Sequence, residues 1–112
     1  MHTAQATDVT ANLRVASPEI MEMHSLITKM GFIMMGATHI RFSNQQYLLA
    51  WSMGSGAKCV AINMFYRPGL DLYTLDFIKS HSDSARTVRM DRVYGEDVIG
   101  VIERETGFYL RL

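Results

Sequence analysis

The spacing of apolar residues changes abruptly at Gly31, and this change constrains the fold more than any other feature of the chain. Before Gly31, apolar residues recur every three or four positions, as they do on one side of a helix: Ile20, Met23, Ile27 and Met30. From Gly31 to Lys79 the apolar residues mostly follow a period of two, which is the period of a β-strand. The chain therefore reads as one helix followed by a series of strands.

The ends of the first helix are marked by capping residues. Ser17 suits the N-cap, Pro18 suits the first helical position, and Glu19 is favoured by the positive end of the helix dipole. Gly31 suits the left-handed residue that commonly follows a helix. We therefore predict a helix over residues 18–30 with Gly31 as its C-terminal cap.

Turn residues divide the strand region into four runs. The turn segments are "SNQ" after Phe42, "GSGA" after Met53 and "RPGL" after Tyr66. In the last one, Pro68 fixes one backbone dihedral and Gly69 supplies the positive one, as a type II turn requires. Turns this short connect antiparallel neighbours, so the sequence predicts an antiparallel meander.

Turns centred near 44/45, 55/56 and 68/69 place His39 opposite Ala50, Ala50 opposite Ala61, and Ala61 opposite Asp76. This register sorts the strand residues onto two faces. The predicted first face is large and apolar: Met34, Thr38, Ile40, Phe42, Tyr47, Leu49, Trp51, Met53, Val60, Ile62, Met64, Tyr66, Tyr73, Leu75 and Phe77. The predicted second face is smaller and mixed: Ala37, His39, Arg41, Leu48, Ala50, Ser52, Cys59, Ala61, Asn63, Phe65, Leu72, Thr74, Asp76 and Ile78. A helix must cover the first face, since it would otherwise expose a large apolar patch.

The C-terminal third predicts a further strand, "TVRMDRVY", and a second helix, "GEDVIGVIERETG", which Gly107 ends. The predicted fold class is therefore α+β: an antiparallel meander sheet of four or five strands with an N-terminal and a C-terminal helix, at least one of them packed on one face. Residues 1–16 follow no clear period and are predicted to be a flexible N-terminal arm, and residues 17–112 to be a single α+β domain.

Composition narrows the functional classes. The chain has 112 residues, enough for one domain, with 48% hydrophobic and 20% charged residues, as in soluble globular proteins. No apolar run approaches a membrane span and no signal peptide is recognisable, so we expect no membrane partner. Cys59 is the single cysteine, which excludes an intrachain disulfide and favours a cytoplasmic location.

The chemistry-bearing residues form no recognisable catalytic set. The histidines show no metal-ligand spacing, and "GSGAK" lacks the full spacing of a phosphate-binding loop. Cys59 has no predicted base beside it and is better explained as a small buried side chain. We therefore expect no catalytic residue, metal site or cofactor, and a protein that is not an enzyme.

No carboxylate occurs between Glu22 and Asp71, although this stretch carries Lys29, Arg41, Lys58 and Arg67. A mostly buried sheet, with little room for charge, explains this pattern best; the alternative is a locally positive surface for a phosphate backbone or an acidic protein partner. The lack of a recognisable catalytic set favours binding to another protein. We expect a non-enzymatic protein-binding module that acts through the second face, through an exposed edge or as a homodimer. Such a module would inhibit or antagonise a larger complex, for example one that handles nucleic acid. The candidate partner-binding residues are His39, Arg41, Ala50, Lys58, Ala61, Asn63 and Arg67.

Two alternatives remain open. A small ligand or substrate could bind in the lane of small residues between His39 and Asp76, although strands two apart are roughly 9–10 Å apart, too far for a direct hydrogen bond. Nucleic acid could bind a basic set whose acidic neighbours dilute it: Lys79, Arg86, Arg89 and Arg92.

Overall fold

The structure is a computed structural model that describes residues 7–8, 15–79 and 86–110. Its elements follow in chain order: β1 (Thr7–Asp8), α1 (Pro18–Met34), β2 (Thr38–Ser43), β3 (Leu48–Ser52), β4 (Ala61–Arg67), β5 (Leu72–Ile78), β6 (Thr87–Val93), a 3₁₀ turn (Gly95–Asp97) and α2 (Val98–Thr106). Residues 80–85 and most of the predicted N-terminal arm lie outside the described residues.

The strands form one antiparallel sheet in the order β1-β2-β3-β4-β5-β6. Each strand thus lies beside its neighbour in the chain, which confirms the predicted meander and the predicted strand near residues 87–94. The short strand β1 adds to one edge, where Thr7 pairs with Phe42 and Asp8 with Arg41. At the other edge lies β6.

Both helices contribute to a core on the first face. The buried residues of α1 include Ile20, Met23 and Ile27, and those of α2 include Val98, Val101 and Ile102. They form one cluster with the buried strand residues Phe42, Leu49, Trp51, Ile62, Met64, Tyr73, Leu75 and Phe77. The predicted α+β class with a helix packed on one face is therefore confirmed, and the structure adds that both helices lie on the apolar face of the sheet.

The predicted register is wrong by two residues in each of the first three hairpins. Arg41, not His39, lies opposite Ala50, and Ala50 lies opposite Asn63. Asn63 in turn lies opposite Asp76. Because a shift of two residues keeps every side chain on its side of the sheet, most of the predicted face assignments survive this error.

The error comes from the loops. The chain between β2 and β3 spans residues 44–47, and that between β4 and β5 spans residues 68–71, so each loop is centred one residue later than predicted. The predicted turn at Arg67–Leu70 is present, with Gly69 at φ 89° and the Leu70 amide donating to the Arg67 carbonyl. Asp71, at φ 58°, then adds one left-handed residue before the strand resumes.

A bulge in β2 changes the face of Thr38. Thr38 pairs with Ser52, whereas Arg41 pairs with Ala50, so one extra residue lies between them, and His39 adopts φ 53° there. Thr38 therefore shares a face with Ser52. The prediction that Thr38 lies on the first face with Phe42 is wrong. Cys59 is also misassigned, since it precedes β4 and belongs to the apolar cluster beneath the helices.

The predicted end of the first helix is wrong. Helix α1 continues past Gly31 to Met34, which is therefore helical and not part of a strand. The helix is interrupted at Thr28, whose φ of 70° and ψ of 157° are not helical, and the Thr28 hydroxyl accepts a hydrogen bond from the Gly31 amide at 3.1 Å, as an N-cap does. Gly36, at φ 62°, supplies the left-handed residue after the helix.

Candidate functional site

A polar row crosses the second face of the sheet. The register aligns residues of six successive strands: Asp8, Arg41, Ala50, Asn63, Asp76 and Arg89. Since the apolar sides of both described helices join the cluster on the first face, no described helix covers this row. The second face is therefore the surface on which we place the candidate site.

The surroundings of the row combine small and apolar side chains. Ala50 and Ala61 retain only 1% and 6% of their accessible surface. The apolar residues nearby are half-buried: Leu48, Phe65, Leu72 and Ile78. This face is less apolar than the core of the domain, and a protein interface need be no more apolar than the rest of a protein surface.

One end of the row is fixed by an ion pair. Arg89 donates from Nε to Asp76 Oδ1 at 2.7 Å and from Nη2 to Asp76 Oδ2 at 2.8 Å. Asp76 is buried, whereas the Arg89 side chain remains 55% exposed. These two hydrogen bonds to Asp76 raise the pKa of the Arg89 guanidinium. The pair holds the Arg89 guanidinium at the β6 edge of the face, and both carboxylate oxygens of Asp76 accept hydrogen bonds from it.

A second hydrogen-bonded chain runs beside the ion pair. Arg67 Nε donates to the Thr74 hydroxyl at 2.9 Å, and that hydroxyl donates to Asp91 Oδ1 at 2.6 Å. The hydrogen bond from Thr74, followed by that from the Arg92 amide, lowers the pKa of Asp91. The buried Thr74 therefore links a basic residue of β4 to an acidic residue of β6 and orders both side chains.

Toward the other end of the row, Arg41 lies opposite Asp8 of β1. Arg41 Nη1 donates to the His39 carbonyl at 2.8 Å, and none of the carboxylates whose side chains the structure describes forms an ion pair with Arg41 or Arg67. Within the described part of the chain, the Asn63 side chain makes no hydrogen bond and is half-buried in mid-sheet. Arg41 and Asn63 are thus the polar groups of this face best placed to bind a partner.

The predicted candidate residues are not all together. Arg41, Ala50, Ala61, Asn63 and Arg67 belong to adjacent strands of the second face. His39 is exposed at the bulge of β2, with its Nδ1 3.3 Å from the Thr38 hydroxyl. Lys58 lies elsewhere, in the loop before β4, where its amide donates to the Thr106 carbonyl at the end of α2.

The structure bears on the two alternative functions, a small-ligand site between His39 and Asp76 and a nucleic-acid site on the basic residues. Asp76 shares its row with Arg41 and is bonded to Arg89, so the predicted lane from His39 does not end at a free carboxylate. In the basic set, Lys79 pairs with Glu105 at 3.3 Å and Arg89 pairs with Asp76. Carboxylates therefore neutralise Lys79 and Arg89, two of the cations proposed for nucleic acid.

Cys59 has the surroundings of a packing residue. It is 2% exposed, and burial raises the pKa of its thiol, with smaller influences from Lys79 and Glu105. A raised pKa disfavours the thiolate that nucleophilic chemistry requires. This environment agrees with the interpretation of Cys59 as a small buried side chain.

The sequence interpretation missed Arg89 and Asp91 as members of the second face. Their strand was predicted, but it was given no register against β5. A signal was present, because Arg89 and Asp91 alternate with Val88 and Met90 and so lie on the same side of a strand. Pairing that alternation with Thr74 and Asp76 would have placed opposite charges across β5 and β6.

Three tyrosines form a ladder at one end of the first face. The ring centroids of Tyr47 and Tyr66 are 6.1 Å apart, and those of Tyr66 and Tyr73 are 5.5 Å apart. Burial, followed by the nearby charges of Glu22 and Asp71, raises the pKa of Tyr73 to about 12. Burial and the hydrogen bond to Asp71 also raise the pKa of Tyr66. The phenol forms of these side chains are therefore favoured in the fold.

Alkaline pH is expected to destabilise the protein through Tyr73. An unfolded tyrosine ionises near pH 10, so between pH 10 and about 12 the unfolded chain releases a proton that folded Tyr73 retains. The free energy of unfolding therefore falls as pH rises through this window. Urea unfolding at pH 8 and pH 11 should show a smaller loss for Tyr73→Phe than for the wild type, whereas Tyr94→Phe, which alters an exposed ring, should behave like the wild type. Equal losses in all three proteins would contradict this assignment.

Comparisons with known proteins identify no relative. No protein-family model matches the chain, and neither the curated proteins nor the solved structures contain a significant match. Among the described residues, no helix is long and apolar enough to cross a membrane, and no group of His, Cys, Asp and Glu side chains is arranged to hold a metal ion. The function must therefore be inferred from the surface of the domain itself.

Proposed function

We propose that this protein is a non-enzymatic module that binds an acidic protein partner through the second face of its sheet. The observation that carries the proposal is the row from Arg41 to Arg89, which no described helix covers. Toward one end of this row Arg41 forms no ion pair with any carboxylate whose side chain the structure describes, and the Asn63 side chain makes no hydrogen bond to the described residues. A partner that brings carboxylates to Arg41 and Arg67 would satisfy these donors.

The rest of the face supports a flat contact. The side chains of Ala50 and Ala61 are small and covered by their neighbours, so they leave this part of the face low, while the half-buried Phe65 and Leu72 supply the apolar area of the contact. Opposite charges across the contact would fix its orientation and speed association. A small module bound in this way would act as an inhibitor or antagonist wherever the covered surface is one that the partner needs.

Reversing the charge of Arg41 is expected to abolish capture of the partner. The experiment is a pull-down from the native host with immobilised wild-type protein, Arg41→Glu and the control Lys29→Glu, which makes the same charge change on the exposed side of α1. Wild type and Lys29→Glu should retain the same acidic protein, and Arg41→Glu should bind it at least tenfold more weakly, since an unpaired interface charge costs about 2–5 kcal/mol. Equal capture by all three proteins would contradict the proposal.

A second variant tests the flat approach. Ala61→Arg should also lose the partner while keeping its melting temperature within a few degrees of the wild type, because no described helix lies above Ala61. Unfolding of Ala61→Arg would show that the second face is a packed layer. Light scattering at high micromolar concentration tests whether a second copy of the chain binds this face. If the wild type is a dimer and Arg41→Glu is a monomer, the occupant is a second copy and the proposal of an acidic protein partner is wrong.

A further inference from the structure

A cleft lies between the start of α1 and the hairpin that joins β4 to β5. Its volume is about 260 Å³, and its lining residues are Pro18, Glu19, Glu22, Tyr66, Asp71 and Tyr73. The cleft is on the helical side of the sheet, away from the row that contains Arg41. It is smaller than the roughly 300–1,000 Å³ of pockets for drug-sized ligands, so it fits a small group or the end of a side chain.

The cleft is strongly acidic. Glu19, Glu22 and Asp71 contribute carboxylates, and no Lys or Arg side chain is among its lining residues. The amino end of α1 carries a positive dipole charge of only about half a unit, which falls off within one turn. Since three carboxylates outweigh this dipole, the cleft favours a cation.

Tyrosine rings add a second feature that favours an organic cation. The rings of Tyr66 and Tyr73 are 5.5 Å apart and both line the cleft. A cation within about 6 Å of a tyrosine ring centroid is attracted to the negative face of the ring. The combination of ring faces and carboxylates is the one that binds ammonium and guanidinium groups.

The hydroxyl of Tyr73 points to the same conclusion independently. Tyr73 is 5% exposed, and its hydroxyl makes no hydrogen bond to any residue that the structure describes. By contrast, the Tyr66 hydroxyl donates to Asp71 Oδ1 at 3.2 Å. The Tyr73 side chain is thus almost wholly buried, but its oxygen keeps some contact with solvent. Because Tyr73 lines the cleft, a ligand carrying N–H donors would be able to donate a hydrogen bond to that oxygen.

A metal ion fits this cleft less well. The described residues include no group of His, Cys, Asp and Glu side chains arranged to hold one, so these carboxylates surround a space without converging on one point. Several donors spread over a planar or elongated cation match such an arrangement better than a single ion.

We propose that this cleft binds an aliphatic ammonium or guanidinium group, in which the carboxylates of Glu19, Glu22 and Asp71 balance the charge and Tyr73 accepts a hydrogen bond. Two sources present this chemistry: a small free amine, and a Lys or Arg side chain of a peptide.

The test is an NMR titration of ¹⁵N-labelled protein at low ionic strength, where exposed charges are screened least. The probes are putrescine, a blocked Ala-Lys-Ala peptide, tetramethylammonium and uncharged butanol. Putrescine or the peptide should produce saturable shifts of the amides of Glu22, Asp71 and Tyr73. Tetramethylammonium, which has no N–H donor, should bind several times more weakly, and butanol should not bind. The tighter of the first two probes identifies the source of the ligand.

Matched variants separate the cleft from general charge attraction. Glu22→Gln should weaken binding several-fold, whereas Glu96→Gln, which removes the same charge from an exposed position in the 3₁₀ turn before α2, should not. Tyr73→Phe should weaken binding roughly two- to tenfold, as expected for one lost hydrogen bond. Equal weakening by Glu22→Gln and Glu96→Gln, tetramethylammonium binding as tight as that of putrescine, or an absence of saturable shifts would each overturn the proposal. None of these outcomes depends on binding at the second face.

Discussion

Replacing Trp51 by alanine is expected to destabilise the domain by about 3–5 kcal/mol, the usual cost of truncating a large buried aromatic residue. Trp51 is fully buried on the central strand β3, opposite Ile62. Its ring meets Phe32 of α1 edge to face, with centroids 5.0 Å apart, so the truncation would remove contacts between the helical layer and the sheet. Since small domains are stable by only about 5–15 kcal/mol, this variant should be marginally folded.

Urea unfolding followed by far-ultraviolet circular dichroism measures this effect without the tryptophan signal. Tyr94→Ala is a suitable control, because that ring is 59% exposed and its loss should change the free energy of unfolding by about 0.5 kcal/mol or less. Trp51→Phe should cost clearly less than Trp51→Ala. It keeps an aromatic ring and removes the indole N–H, which has no hydrogen-bond partner among the described residues. If the free energy of unfolding of Trp51→Ala lies within about 1 kcal/mol of the wild-type value, the expectation that Trp51 is a main contributor to stability is wrong.

The second large effect concerns the contact between two glycines. Gly36, just after α1, has φ 62°, and a Cβ built on it would lie 3.2 Å from Gly54 Cα. The Gly54 amide also donates to the Met35 carbonyl at 3.0 Å, so the end of the helix is held directly against the loop after β3. Gly36→Ala should therefore combine a left-handed backbone penalty of about 1–2 kcal/mol with a steric cost of similar size.

Two further variants separate these contributions. Gly56→Ala tests the backbone penalty alone, since Gly56 has φ 91° and a Cβ there would meet no atom within 4 Å. Gly54→Ala tests the contact alone, because its Cβ would lie 3.2 Å from both Gly36 Cα and the Met35 carbonyl oxygen. In urea unfolding, Gly36→Ala should be the most destabilised of the three, by roughly the sum of the other two. If Gly36→Ala and Gly56→Ala lower the free energy of unfolding by the same amount, the contact between the helix end and the loop does not contribute to stability.

The sequence allowed the layers to be predicted because the hydrophobic alternation is strong in β3, β4 and β5. A register shift by an even number of residues leaves each side chain on the same face of the sheet. The register error of two residues therefore did not change the buried face predicted for Leu49, Trp51, Ile62 and Phe77. A strong alternation of apolar and polar residues determines which face each side chain occupies, but not the exact pairing of residues between strands. The length of a loop is determined locally, by residues such as Asp71 whose left-handed conformation adds one position to the turn.

Other features could not be predicted because two local signals competed. Gly31 is a common helix cap, yet the apolar run that follows it also continues the helical stripe through Phe32 and Met35, and burial of that stripe decided the outcome. The bulge at His39 likewise follows from the way the start of β2 pairs with Ser52, which no pattern of residues in the sequence indicates. For the candidate site, the small and polar residues of the second face were predictable, but their partners Arg89 and Asp91 required the register of β6.

The order of the strands has a consequence for how the protein forms. Every strand from β2 to β6 pairs with the one that precedes or follows it in the chain, so none of these pairings requires a long crossover to close first, whereas the short pairing of β1 with β2 spans α1. The entropic cost of closing each hairpin rises only slowly with loop length, and folds dominated by such local pairings form quickly for their size. Assembly can therefore proceed hairpin by hairpin, and the sheet edges are exposed only briefly while the chain is incomplete.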